Sequence, residues 1–299
     1  NKGIGESMTQ IIADSTCDIN KELLTGYKLV TLPLVISAEG KDYLDGVDID
    51  IDRVYSWMQN DILPKTAQIP YEVMKDAFET CCRNGNDFIY IAFSGRMSGC
   101  CSLGRIIANE LKEKYPERRM EIVDSKGGSC ATGLIVLQAL LMAEKKMSID
   151  IILDEVNFMV SHVEHLFTVA DLKWMVKGGR ISKPLGWAGS VLNIRPWLDV
   201  NDGKMVVKGM VRGEKKAIQT VTREVCHRAE NFPKQLIAIA HTGNKALADT
   251  VSDQIREIFP DCTTTISEIG GVLGTHLGMG GLGVFFFREQ SVHYMLSEI

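Results

Sequence analysis

One imidazole, His276, stands between Thr275 and a run of glycines in GTHLGMGGLG at 274–283, immediately ahead of the apolar VFFF at 284–287. Two other segments share that character. FSGRMSG at 93–99 sets Ser94 and Ser98 beside glycines, and GGRIS at 178–182 sets Arg180 behind two of them. Glycine permits close backbone approach and positive φ, so hydroxyls and amides in such loops can turn toward one ligand. Hydroxyls, one imidazole and one guanidinium together make an anion site. Thr66, in KTAQIP, adds a hydroxyl from what reads as a loop ahead of a helix, where a threonine is more commonly a cap. Met97 offers an apolar contact beside the serines.

Other chemistries fit less well. Gly278-x-Gly280-x-x-Gly283 has the dinucleotide spacing, but that fingerprint follows a strand and opens a helix, whereas this one runs into VFFF, a predicted strand. No GxxxxGK[ST] occurs, so the usual cradle for ATP phosphates is missing. The eight cysteines include two adjacent pairs, Cys81-Cys82 and Cys100-Cys101, with no CxxC and no Cys/His ladder at zinc spacing. They read as reduced thiols packed as small apolar groups, with no metal implied. Ser94 or Ser98, then Asp124 or Asp171, then His276 follow the Ser…Asp…His order of α/β-hydrolases. The nucleophile turn GxSxG is absent, however, because Gly95-Arg96-Met97-Ser98 puts one residue too many between glycine and serine.

The scaffold for these groups is legible as periodicity. In the first half, QIIAD, YKLVTLPLVI, DFIYIAF and MEIVDS read as strands, and EVMKDAFETCCR, SLGRIIANELKEKY and residues 131–146 as helices. That alternation predicts parallel βαβ units with helices covering the sheet. Three of the strands end alike, in Asp14-Ser15-Thr16, Ser94-Gly95 and Asp124-Ser125. In an open α/β sheet, ligands bind beyond such carboxyl ends, near helix N-termini. Taken singly, each of these hydroxyls is better read as a helix cap.

After a helix near 149–164 the texture changes. HLFTVA, RPWLDV, KMVVKG, QLIAIA, TTTISEI and VFFF read as strands, with Asn201-Asp202-Gly203 as a hairpin turn and helices near 213–230 and 244–259. The prediction is therefore an α/β domain over 8–160 and an α+β domain with a mixed or antiparallel sheet over 161–299. A chain of 299 residues has the length for both.

A net charge of −5 and the lack of a long Lys/Arg block argue against nucleic acid as a partner. The longest apolar stretch, ATGLIVLQALLMA at 131–143, is too short to span a bilayer and reads as a buried helix. The leading NKGIGES has no apolar core of a secretory signal, Met8 reads as the natural start, and a cytoplasmic location is expected.

The ordered segments DSTCD (14–18), KTAQ (65–68), FSGRMSG, DSKGGSCATG (124–133), DLKWMVKGGRIS (171–182), LNIRP (192–196) and GTHLGMGGLG resemble the signatures of the DegV family, from about Gln10 to Phe287. That resemblance implies two domains with a fatty acid in a tunnel between them. It also implies a non-enzymatic role as the binding subunit of a bacterial fatty acid kinase, presenting a carboxylate to a separate ATP-dependent subunit that makes acyl phosphate. Thr66, Ser94, Ser98, Arg180 and His276 would then be the head-group residues. Arg212, with Lys215 and Lys216, is the nearest sequence candidate for docking the kinase. The implied ligand is a long-chain fatty acid with no cofactor, and the implied partners are the kinase and, transiently, a membrane surface. A lipid carrier or sensor without a kinase would share the same site. One departure stands out: the family's usual Thr-Ser-Gln-Pro is here Thr66-Ala67-Gln68-Ile69, without one hydroxyl and without the proline.

Overall fold

Short β-branched runs bounded by Asp, Ser and Gly become strands in the computed structural model, which describes residues 8–182 and 193–299. NKGIGES and the leucine of LNIRP lie outside the described residues. The first half runs β1 (Thr9–Asp14), β2 (Leu29–Leu32), β3 (Val35–Ala38), β4 (Lys41–Leu44), α1 (Ile51–Gln59), β5 (Lys65–Ala67), α2 (Tyr71–Arg83), β6 (Asp87–Ala92), α3 (Cys100–Lys114), β7 (Met120–Asp124), α4 (Ser129–Glu144) and α5 (Ile149–His162). The second half runs β8 (Val163–Thr168), α6 (Lys173–Lys177), β9 (Ile194–Asn201), β10 (Lys204–Arg212), α7 (Glu214–Ala229), β11 (Leu236–His241), α8 (Lys245–Ile258), β12 (Thr263–Glu268), α9 (Gly271–Leu277) and β13 (Leu282–Phe287).

Three sheets result. A four-stranded parallel sheet has the order β2-β1-β6-β7, and a six-stranded mixed sheet has the order β10-β9-β8-β13-β11-β12. The third, β4-β3-β5, is small and antiparallel. It corrects the reading of YKLVTLPLVI as one strand. Pro33 cannot donate a ladder hydrogen bond, so the segment breaks there into β2 in the parallel sheet and β3 in the small one. KTA is likewise a strand and not a loop, with Thr66 opposite Ile36.

Helix α4 sits at the centre. Every residue from Ser129 to Leu140 is buried, as expected of a helix apolar on all sides. It packs on β1 of the parallel sheet and on β8, β11 and β13 of the mixed one. One apolar cluster accordingly joins Ile11, Ile89 and Ile91 to Leu134, Ile135 and Phe285. The buried Ser, Thr and Gln side chains of α4 find partners: Ser129 Oγ donates to Asp18 Oδ2 (2.7 Å), Thr132 Oγ1 to Ser125 Oγ (3.1 Å), and Gln138 Nε2 to the His293 carbonyl (2.6 Å). Among the described residues, no helix is long and apolar enough to cross a membrane.

Two devices hold loops in place around this core. Asp14, fully buried at the end of β1, accepts from Thr16 Oγ1 (2.5 Å), the Thr16 amide (3.1 Å), Tyr90 Oη (3.1 Å) and the Phe93 amide (2.7 Å), so the ends of β1 and β6 are bound together. The β9–β10 hairpin turns at Asp202 (φ 43°) and Gly203 (φ 79°), the left-handed pair expected of a two-residue hairpin loop. Its tip is fastened to the first half by Ser94 Oγ donating to the Gly203 carbonyl (2.7 Å) and by Lys126 Nζ to Asp202 Oδ1 (2.9 Å).

Candidate functional site

Where α9, the loop after β6 and strands β8, β9 and β13 converge, they enclose a cavity of about 170 Å³. Most of its wall is apolar, including Phe93, Phe167, Met205, Val272, Leu282 and Phe285. Against that wall stand a few polar side chains, among them Thr66, Gln68, Ser98, Arg180 and His276. An apolar hollow with a few placed polar groups is the usual form of a small-molecule site.

Each polar group has an identifiable support. β5 carries Thr66 and is fixed by pairing with β3. His276 lies in the last turn of α9, not in the loop that its glycine-rich surroundings predict. The start of that helix is held by the Gly270 amide donating to Asp18 Oδ1 (2.9 Å). Although 210 residues apart in sequence, Thr66 Oγ1 and His276 Nε2 hydrogen-bond at 2.8 Å. His276 Nδ1 is buried without a hydrogen-bond partner, and Gly178 packs so closely that a side chain there would strike it. Burial, and secondarily the Arg180 guanidinium, push the imidazole pKa down to about 4, so His276 is neutral at pH 7. Arg180 follows Gly179, whose φ of 73° makes the bend, and its Nη1 donates to the Gly178 carbonyl (2.6 Å).

Thr66, Ser98, Arg180 and His276 thus share one cavity, as does Met97. Ser94 does not line it. The Ser94 hydroxyl is fully buried and donates to the Gly203 carbonyl, at the tip of the β9–β10 hairpin that closes over it. Ser98 Oγ turns to Cys100 Sγ (3.2 Å). Neither serine pairs with His276, whose Nε2 is taken by Thr66, and Asp124 Oδ1 accepts from the Gly95 and Lys126 amides. No nucleophile–base pair of a serine hydrolase is formed among these residues. Arg212 is exposed at the end of β10.

Two lining side chains escape sequence reasoning. Gln68 borders Gly99, where a side chain would collide with its amide oxygen. His165 lies inside β8, in a run read only as a strand, and its single signal is a histidine within an otherwise buried alternation. Burial pushes its pKa down to about 4, with Asp199 opposing more weakly, so it too is neutral.

What this arrangement can do is hold a carboxylate by hydrogen bonds at one place and cover a hydrocarbon elsewhere. Comparison with known proteins agrees in fold and family. The chain is 34% identical to a DegV domain-containing protein of Clostridium perfringens, over 93% of this chain and 97% of that protein. Its structure superposes on that of DegV, a fatty acid binding protein from Bacillus subtilis, with a TM-score of 0.82 and 25% identity, covering 94% of this chain and 100% of the other. It also superposes on the fatty acid kinase (Fak) B3 protein of Streptococcus pneumoniae, solved with linoleic acid, with a TM-score of 0.85 and 24% identity, covering 94% and 100%. The DegV family model matches residues 8–289, nearly the whole chain, which therefore belongs to the DegV family.

Proposed function

We propose that this protein binds a long-chain fatty acid in the cavity, with the carboxylate at Thr66, Ser98, Arg180 and His276, and presents it to a separate ATP-dependent kinase that forms acyl phosphate. The observation that carries this reading is the Thr66–His276 pair, neutral and hydrogen-bonded, in the wall of a mostly apolar hollow. A hydroxyl both donates and accepts, so Thr66 can bond the imidazole and a carboxylate oxygen together. Neutral donors and a single guanidinium hold the carboxylate without locking it in a multiple ion pair, which leaves an oxygen free to attack a γ-phosphorus as ADP departs. We read the halves 8–160 and 161–299 as the two walls of the site. The Bacillus and Streptococcus proteins, described as fatty-acid-binding and as a fatty acid kinase component, support the ligand and the partner respectively.

The purified protein is expected to carry a long-chain fatty acid, detectable by mass spectrometry of an organic extract. Burial of each methylene contributes about 0.8 kcal/mol, enough over a long chain to survive purification. Lipid-free protein that gains no thermal stability from added palmitate or oleate would refute the ligand.

The kinase contact makes a second expectation. Arg195, opposite Val211 in the hairpin and one pair from Arg212, bridges Glu214 (2.5 Å) and the Gly280 carbonyl (2.9 Å), so this end of the hairpin adjoins the loop that leads through Gly281 into the cavity wall. Charge reversal in Arg212→Glu is expected to lower kinase-dependent turnover severalfold at low salt and to leave lipid affinity unchanged, as rim charges tune association. Full turnover in that variant moves the docking surface elsewhere.

A further inference from the structure

Along β13 and β8 the hollow stops at one aromatic ring. Its wall takes in Gly281, Gly283 and Phe285 on one strand and Val169, Phe167 and His165 on the other, and neither Phe287 nor Val163, the next residue in each alternation, borders it. Phe285 stands opposite His165 in the pairing of the two strands, and their rings meet edge-on with centroids 5.8 Å apart. Behind Phe285 the interior is solid, since it shares an apolar cluster with Leu134 and Ile135 of α4. The proposed carboxylate residues adjoin the opposite ends of the same strands: α9, which carries His276, leads through Gly281 into β13, and β8 leads through α6 to Arg180. From Gly281 to Phe285 the span is roughly 13 Å at the usual rise of a strand.

The Phe285 ring is laid back along its own strand. Its Cζ and Cε2 lie 2.8 and 2.9 Å from where a Cβ on Gly283 would sit, so the absence of a side chain at 283 makes room for the ring. The ring edge therefore points from the blind end toward the carboxylate end. We propose that Phe285, seated over Gly283, is a specificity-determining residue that stops the terminal methyl of the acyl chain and so sets the longest fatty acid the cavity takes. This rests on the fatty-acid reading of the cavity and adds a limit on chain length to it. A methylene beyond that limit has to push the ring into a close-packed interior, which costs more than its own burial contributes.

The test is competition binding of saturated fatty acids of successive lengths, from laurate to behenate, to the parent, Phe285→Ala and Gly283→Ala. In the parent, affinity is expected to rise about fourfold with each added methylene up to an optimum and then to fall. Phe285→Ala should carry that rise past the parental optimum to a longer chain. Gly283→Ala should bring the optimum to a shorter one, because the displaced ring has packed core behind it and open space only in the hollow. An optimum of unchanged length in folded Phe285→Ala overturns the assignment and leaves the fatty-acid site standing, and so does an unchanged or longer optimum in folded Gly283→Ala. If no chain binds the parent, the fatty-acid reading falls and the chain-length limit falls with it. Should alanine at 285 prevent folding, Phe285→Leu removes the ring, keeps most of the packing and is read in the same way.

Discussion

The His276→Ala protein is expected to bind long-chain fatty acid ten- to a hundredfold more weakly than the parent. The imidazole is buried and neutral, and with Thr66 it forms the proposed carboxylate end of the site. Its removal takes away a bond to a charged group, worth about 1.5–3 kcal/mol, and leaves the Thr66 hydroxyl without its orienting partner. Thr66→Val should behave similarly. Ser94→Ala should not, because that hydroxyl serves Gly203 and the hairpin tip. Displacement of a fluorescent fatty acid, with thermal melts to confirm folding, separates these cases. If folded His276→Ala and Thr66→Val proteins both retain parental affinity, the head group lies elsewhere in the cavity.

Asp14→Ala is expected to lower folding stability by about 3–5 kcal/mol, read from the midpoint and slope of urea unfolding. Four donors converge on that carboxylate from Thr16, Tyr90 and Phe93. Alanine leaves these donors unsatisfied in a buried site, each at the cost of its lost hydration. The effect should reach the ligand too, since the Phe93 amide fixes the start of the loop that ends in Ser98. Asp14→Asn, which keeps an acceptor but turns an amide donor toward other donors, should fall between the two. A loss under about 1 kcal/mol in Asp14→Ala would show that those donors are satisfied without it.

Periodicity and turn chemistry carry most of the fold. The alternation in QIIAD, DFIYIAF and MEIVDS predicts β1, β6 and β7, and Asn201-Asp202-Gly203 predicts the hairpin. Local signals fail where tertiary context decides. Pro33 marks an interruption, but nothing near it says that the two pieces join different sheets. The glycines around His276 look like a loop, and only packing of α9 on α1 and α6 makes that segment helical. The site divides in the same way. Ser98, Arg180 and His276 are findable as lining residues because hydroxyl, cation and imidazole sit among glycines, and Thr66 through the KTAQ segment; His165 is not, because inside a strand its sequence neighbours give no sign of the cavity it lines. Sequence also gives no sign of the partner of Ser94, since the Gly203 carbonyl that takes its proton lies 109 residues away.

Helix α4 also bears on how the molecule unfolds. Its apolar side chains are shared between β1 on one side and β8, β11 and β13 on the other, so neither sheet has a closed interior without it. A chain cut near residue 160 leaves that helix with one wall missing and a stripe of Leu, Ile and Val in water. Separate melting of the halves is therefore disfavoured, and heat or denaturant should take the protein apart in one cooperative step, with loss of the cavity and loss of the fold coinciding.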